Sequence, residues 1–374
     1  LLCGEGGIES TEPTKRMMLL SIEARKTPAV AELLRATPDE KCLEALAAGG
    51  RENPEIQKFE EKIRELLRKY GDRCMNELKL ESATLEEEPK FLFSVIKNYM
   101  KQENLDPAEM ERREKEIRSK AEAAVAKKLR FKPVKLATFR HVLENARKAV
   151  KNRENMRFSR TRIFGVARRL FRAVGRQLAA AQLLDDPQDV FYLELEEILA
   201  LAEGRNTIWD LKALVALRRK QFARWEREPV DDRVVTRGVY LAGQSYKNPA
   251  AAVGTGDPNL LRGVPACPGR VKNKVRVIHS PQDDMSLNKE ILVAERTDPG
   301  WVPLYPSCCA LLIERGSILS HSAIVARELG LPCVVGVRDL LTKVKDGQVV
   351  EMDGGEGTVK LDVDPAGASP EKIG

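Results

Sequence analysis

The spacing of hydrophobic and polar positions changes about two thirds of the way along the chain. From about residue 12 to 230 apolar residues recur at intervals of three and four, the period of amphipathic helices. IQKFEEKIRELLRKYG (56–71) predicts one such helix, with Gly71 as its C-cap. AEMERREKEIRSKAEAAVAKKLR (108–130) is so highly charged that it predicts an exposed or coiled-coil-like arm. Residues 138–182 read as long helices, and 183–204 breaks at Asp186–Pro187 and resumes. A stretch rich in Gly, Pro and Ala follows, and residues 241–261 are expected to be a flexible linker. Beyond it the period shortens to strands at 271–278, 291–295, 308–313, 333–337, 349–352 and 358–361, with one clear helix at 321–330. The expected architecture is multidomain: a mainly α-helical domain over 1–240, the linker, a β/β/α domain over 262–364, and a disordered tail over 365–374.

A length of 374 residues agrees with two or three domains. No apolar run is long enough to span a membrane, and LLCGEGG lacks a secretory n-region and cleavage site, so a cytoplasmic protein is expected. The first residue is not Met, and the chain is expected to begin inside a longer gene product. Seven cysteines without a CxxC pair, beside only three histidines, give too few well-spaced ligands for zinc. Reduced thiols are expected, with Cys308 and Cys309 pointing to opposite faces of a buried strand. A net charge of +7 suits anionic ligands without demanding nucleic acid. Between Arg157 and Arg176 there are seven arginines and no acid. Phe158, Ile163, Phe164, Val166, Leu170, Phe171 and Val174 interleave with them, so a packed helix with a basic outer face is expected rather than a nucleic-acid surface. Gly4, Gly6 and Gly7 have no lysine at P-loop spacing and read as a lead-in to a helix starting near Pro13.

The chemistry concentrates in ERGSILSHSAIVARELGLPCVVGV (314–337), which reads as strand, glycine turn, helix, Gly-Leu-Pro stop and strand. Ser320 is a good N-cap and places His321 in the first turn, where backbone N–H groups and the helix dipole favour negative charge. A histidine there suits covalent phosphoryl carriage, because its neutral nitrogen is nucleophilic near pH 7. Ala323, Ile324, Ala326 and Leu329 are expected to form the buried stripe, with Gly330 and Pro332 ending the helix. His141 and His279 lack any such context.

This segment resembles the mobile phosphohistidine domain of the phosphoenolpyruvate-utilising enzymes. Gly316, Ser320, His321, Ala323, Ile324, Ala326, Arg327, Glu328, Gly330, Pro332, Val335 and Gly336 all match the family's ordered signature. GVPACPGRVKNKVRVI (263–278) looks like its opening strand pair with Pro268–Gly269 as the turn, and ILVAERTDPGWVPLYP (291–306) like its strand and Thr-Asp-Pro-Gly-Trp. The resemblance implies a swivelling domain with His321 as the catalytic phosphoryl carrier. It also implies that Gly316, Ser320, Ser322 and Arg327 support the phosphohistidine loop and that Thr297 and Asp298 contact it. Two positions depart from the pattern: Ser317 replaces a second glycine, and Leu319 replaces a threonine that some members use as a switch.

The order of segments resembles the rifampicin phosphotransferase and phosphoenolpyruvate synthase-like branch, in which a helical acceptor-binding domain precedes the histidine domain. The helical segments 4–16, 70–89 and 139–199 share that likeness. The implied activity is ATP-dependent, dikinase-type phosphotransfer through His321 to a small-molecule acceptor. ATP and Mg²⁺ would be held by an ATP-grasp domain outside this chain, in cis in the full-length protein. No cofactor, metal, nucleic-acid or membrane site is expected on the chain itself. The alternatives are a phosphoenolpyruvate synthase-like enzyme with pyruvate as acceptor, and a non-catalytic module that keeps the fold.

Overall fold

The computed structural model describes residues 12–102, 105–228, 257, 259–280, 283–361, 363–364 and 369–373. The Gly4–Gly7 stretch and most of the expected linker lie outside them. Short helices come first: α1 (Glu12–Lys26), α2 (Pro28–Ala36), α3 (Cys42–Gly49), α4 (Pro54–Tyr70) and α5 (Lys90–Met100). In α4, Asn53 accepts from the Glu55 N–H, Pro54 opens the first turn, and Ile56, Phe59, Ile63, Leu66, Leu67 and Tyr70 face inward. Gly71 does cap this helix, but with φ −63° and not in the left-handed region. Glycine is required there by close approach, since a Cβ would lie 2.3 Å from the Leu67 carbonyl oxygen.

Two long helices follow, α6 (Pro107–Lys128) and α7 (Pro133–Ala180). The expected long helices of 138–182 are a single rod of 48 residues, about 72 Å at 1.5 Å per residue. The expected buried stripe of α7 is not continuous. Ile163 is 68% exposed and Leu170 64% exposed, while Phe171 and Val174 pack against Leu184, Val190, Ile198, Leu211 and Val215. Apolar spacing alone cannot tell which turns of so long a helix are covered. A capping box at Asp186 opens a 3₁₀ turn, and α8 (Leu195–Ala202) and α9 (Leu211–Trp225) complete the helical part.

The strands are β1 (Leu260–Arg262), β2 (Val264–Cys267), β3 (Arg270–Val277), β4 (Ile291–Ala294), β5 (Ala310–Ile313), β6 (Cys333–Val335), β7 (Val349–Asp353), β8 (Thr358–Lys360) and β9 (Ser369–Ile373). Two further helices, α10 (His321–Leu329) and α11 (Leu340–Lys343), lie between strands. The sheet order is β1-β8-β7-β3-β4-β5-β6-β2, with β9 also on β3. Strands β3 to β6 run parallel, and β7, β8, β1 and β2 are antiparallel to their neighbours.

Side chains alternate across the sheet. Leu292, Ala294, Leu311, Ile313, Cys333 and Val335 face one core, and Ile291, Val293, Ala310, Leu312 and Val334 face the other. Both faces are covered, which explains why these strands read as unbroken apolar runs. Cys308 joins the first core and Cys309 the second, on opposite sides as expected, although both precede β5 instead of lying within it.

Three expectations are corrected. First, β2 and β3 do not pair: Gly269, with φ 141°, turns the chain so that β2 joins β6 at the far edge. Second, the tail is not wholly without structure, because β9 pairs with the first half of β3, the side that β4 leaves uncovered. Third, the helical residues do not form one unit of their own: contacts divide the chain at 257/258, within the expected linker, but also inside α7 at 164/165. Residues 1–164 and 258–374 form one compact unit and 165–257 a second. The first core explains this, because it is continuous from Met17, Phe59 and Tyr99 to Trp301, Leu311 and Ala326.

Candidate functional site

His321 is the first residue of α10, directly after the N-cap Ser320. Ser320 has the expected extended backbone, but its hydroxyl makes no cap bond and lies 3.3 Å from the Ser322 hydroxyl. The first N–H to find a partner within this helix is that of Ile324, which donates to the Ser320 carbonyl at 3.1 Å. The amides of His321, Ser322 and Ala323 thus point out of the helix start, the geometry that favours an anion. Gly330, with φ +64°, closes the helix in the left-handed conformation, and Pro332 leads into β6. The buried face is His321, Ser322, Ala323, Val325 and Ala326. Val325 therefore takes the place expected of Ile324, which is half-buried, as is Leu329.

The loop before the histidine is held from both ends. Arg327 Nε donates to the Ala266 carbonyl at 2.8 Å, and its Nη2 donates to the Ile318 carbonyl, so one guanidinium joins α10, β2 and the loop. A Cβ on Gly316 would sit 3.3 Å from Ser320 Oγ and from Val335 Cβ, which leaves little room for a side chain. Ser317 keeps an ordinary backbone outside the positive-φ region, so the loss of the second glycine costs no strain. Ile318 and Leu319 are exposed at the tip, whereas His321 itself is only 5% exposed.

Thr297 and Asp298 stand at the start of the 3₁₀ segment Pro299–Ser307, which packs against α10. The Thr297 hydroxyl lies 2.6 Å from the Tyr305 hydroxyl. Asp298 accepts from the Gly300 N–H at 2.9 Å and from the Glu77 N–H at 3.2 Å. Burial, and then the neighbouring Glu77 carboxylate, push Asp298 up to about 6 against the pull of these amides. Of these partners Glu77 lies on the helical side of the unit.

That side contributes residues that the sequence reading missed. Arg73 and Glu77 are each 5% exposed. Arg73 Nε donates to Glu77 Oε1 at 2.9 Å, and its Nη2 donates to the Pro299 carbonyl at 3.1 Å. The Thr161 hydroxyl donates to Glu77 Oε2 at 3.0 Å. On α5, Asn98 Nδ2 donates to the Met285 carbonyl at 2.7 Å, and the Leu287 N–H donates to Asn98 Oδ1 at 3.2 Å. The Tyr99 hydroxyl donates to the Pro303 carbonyl. The available signal was Asn98 in the mostly apolar run FLFSVIKNYM, on the same helix as Ser94 and Lys97. A buried amide in such a run needs both of its partners. His141 and His279 are exposed, on α7 and after β3. Among the described residues, no group of three or more His, Cys, Asp or Glu could hold a metal, and no helix is long and apolar enough to cross a membrane.

Comparison with known proteins agrees with both parts of this arrangement. Residues 287–357 match the model of the mobile domain of PEP-utilising enzymes. Residues 1–154 match that of the rifampicin phosphotransferase fourth domain. Rifampicin phosphotransferase of Bacillus subtilis is 27% identical over 345 residues, covering 90% of this chain and 38% of the relative. That of Streptomyces sviceus is 29% identical over the same share of each. An uncharacterized protein of Mycobacterium tuberculosis is 35% identical over 233 residues, 62% of this chain and 25% of that one. The chain thus spans a quarter to two fifths of these relatives' length. Residues 287–357 are thus similar to the mobile domain of PEP-utilising enzymes, and residues 1–154 to the rifampicin phosphotransferase fourth domain.

Proposed function

We propose that His321 carries a phosphoryl group from ATP to a small-molecule acceptor. The observation that carries this reading is the position of His321: the first residue of α10, in a loop fastened by Arg327, within the matched mobile domain. The outward amides of the helix start would stabilise the negative charge of the phosphorylated imidazole. Gly316, Ser320 and Ser322 would shape the loop around it. Catalysis would rest on positioning and electrostatics, as is general for phosphoryl transfer.

On this reading ATP and Mg²⁺ would be held by an ATP-grasp domain of the full-length protein. The first acceptor to test is rifampicin, the compound named in the relatives that match 90% of the chain. The full-length gene product should take label from [β-³²P]ATP into an acid-labile, alkali-stable phosphoramidate. The label should vanish in His321→Ala, with His141 and His279 intact. Retained label in that variant rules out His321 as the carrier, and label chased by rifampicin identifies the acceptor.

A further inference from the structure

A histidine that receives a phosphoryl group must meet its donor, yet His321 is only 5% exposed in this structure. α10 packs on α6 of the helical region as well as on β2, β6 and the 3₁₀ segment, so contacts between the helical and sheet regions hold the pose seen here, and these must be able to release. One such contact lies at 285–303, where the sheet region meets the α1–α5 helices. Three buried side chains of the helical region reach backbone atoms there: Arg73 the Pro299 carbonyl, Asn98 the Met285 carbonyl and Leu287 N–H, and Tyr99 the Pro303 carbonyl. Asp298 reaches back the other way, to the Glu77 N–H.

Each of these bonds joins a side chain to main chain, so together they recognise the path of the segment and not its sequence. Asn98 makes the paired donor and acceptor bonds that a neighbouring strand would make. Gly300 lets the two backbones touch, since a Cβ there would lie 2.1 Å from the Cys74 carbonyl oxygen. Such bonds fix one pose and water can replace each of them when the surfaces part, whereas the apolar contacts of the shared core supply attraction without fixing the register.

We infer that Arg73, Asn98 and Tyr99 form a docking clamp for the histidine domain and are positioning residues for transfer from His321. The inference rests on the phosphocarrier reading above. Its test does not involve phosphorylation, so the two can fail separately. Loosening the clamp should expose His321 while the sheet stays folded.

The probe is diethyl pyrocarbonate, which acylates accessible neutral imidazoles, with mapping of the modified residues by mass spectrometry. The variants are Arg73→Gln and Asn98→Leu, with Tyr99→Phe as the mildest. Exposed His141 serves as the internal standard, and the fully buried Cys333 thiol reports unfolding of the sheet. The expected result is a rise of at least tenfold in the His321 rate relative to His141 in the first two variants, with Cys333 still protected. An unchanged His321 rate in folded variants overturns the inference. So does joint exposure of His321 and Cys333, which would make these residues part of the core and not of a releasable clamp.

Discussion

Gly300→Ala is the smallest change that should separate the two faces of the clamp. The added Cβ would lie 2.1 Å from the Cys74 carbonyl oxygen, 2.7 Å from its carbon and 2.9 Å from Met75 Cα. All three are backbone atoms and cannot swing aside. Ordinary contact begins near 3.4 Å, so the surfaces must part by about 1.3 Å at this point. That shift exceeds what the Asp298–Glu77 bond of 3.2 Å and the Arg73–Pro299 bond of 3.1 Å can absorb. Overpacking costs about 1–3 kcal/mol, and each lost bond about 1 kcal/mol. A weakening of docking by about 3–5 kcal/mol, or roughly 150- to 5,000-fold, follows.

Amide hydrogen exchange measures it directly. The Glu77 and Gly300 amides should lose protection by that factor, while Leu312 in β5 keeps its own. Gly330→Ala is the control. It adds a Cβ in open space at φ +64°, so its cost of about 1–2 kcal/mol is backbone strain confined to the end of α10. Unchanged protection at Glu77 in Gly300→Ala would refute the reasoning. Equal loss at Glu77 and Leu312 would refute it too, by showing that docking and folding are one event.

Three further outcomes follow. Asp298 is raised in the docked pose to about 6, so docking binds a proton; its stabilisation is full below the ordinary carboxylate range and is lost as pH rises through about 6. The charged groups facing Asp298 are Glu77 and Arg73 from the helical side and Tyr305 from its own segment, and burial holds Tyr305 far above titration in this range. Protection of the Leu287 amide should therefore rise about tenfold between pH 7 and pH 5, with most of the dependence lost in Asp298→Asn; an equal rise in that variant would exclude Asp298 as the group. Burial pushes Cys333 up to about 12 and Cys309 up to about 11, so a thiol reagent at pH 8 should leave both unmodified until denaturant unfolds the sheet, and rapid native labelling of either would contradict their placement. Tyr99→Phe, which removes only the hydroxyl that donates to the Pro303 carbonyl, should lower stability to urea by about 1–3 kcal/mol, and no change would mean that water replaces that bond at no cost.

How much of this could be read in advance depended on whether a feature is set by neighbours in sequence or by neighbours in space. The six strands between 270 and 360 were legible from two patterns: β4, β5 and β6 are short apolar runs buried along their whole length, whereas β3, β7 and β8 alternate buried apolar with more exposed polar residues. α10 was legible because its cap, its histidine and its Gly330 stop lie within ten residues. β9 was not, since SPEKI has neither alternation nor apolar content and exists by pairing with an open stretch of β3. The covered and bare turns of α7 were not legible either, because coverage is decided by what packs on the rod.

The clamp sits between these cases. Thr297 and Asp298 could be picked out by their motif, but their partners could not, because Glu77 lies 221 residues before Asp298. Asn98 was visible as a misfit in a mostly apolar helix, and a misfit of that kind states a requirement without naming who meets it. Its two partners are main-chain atoms at positions 285 and 287, which carry no side-chain signature of the contact. Main-chain recognition therefore hides a docking surface from a reading of residue types. It also leaves such a surface free to hold a domain through bonds that water can replace, as a carrier that serves two sites requires.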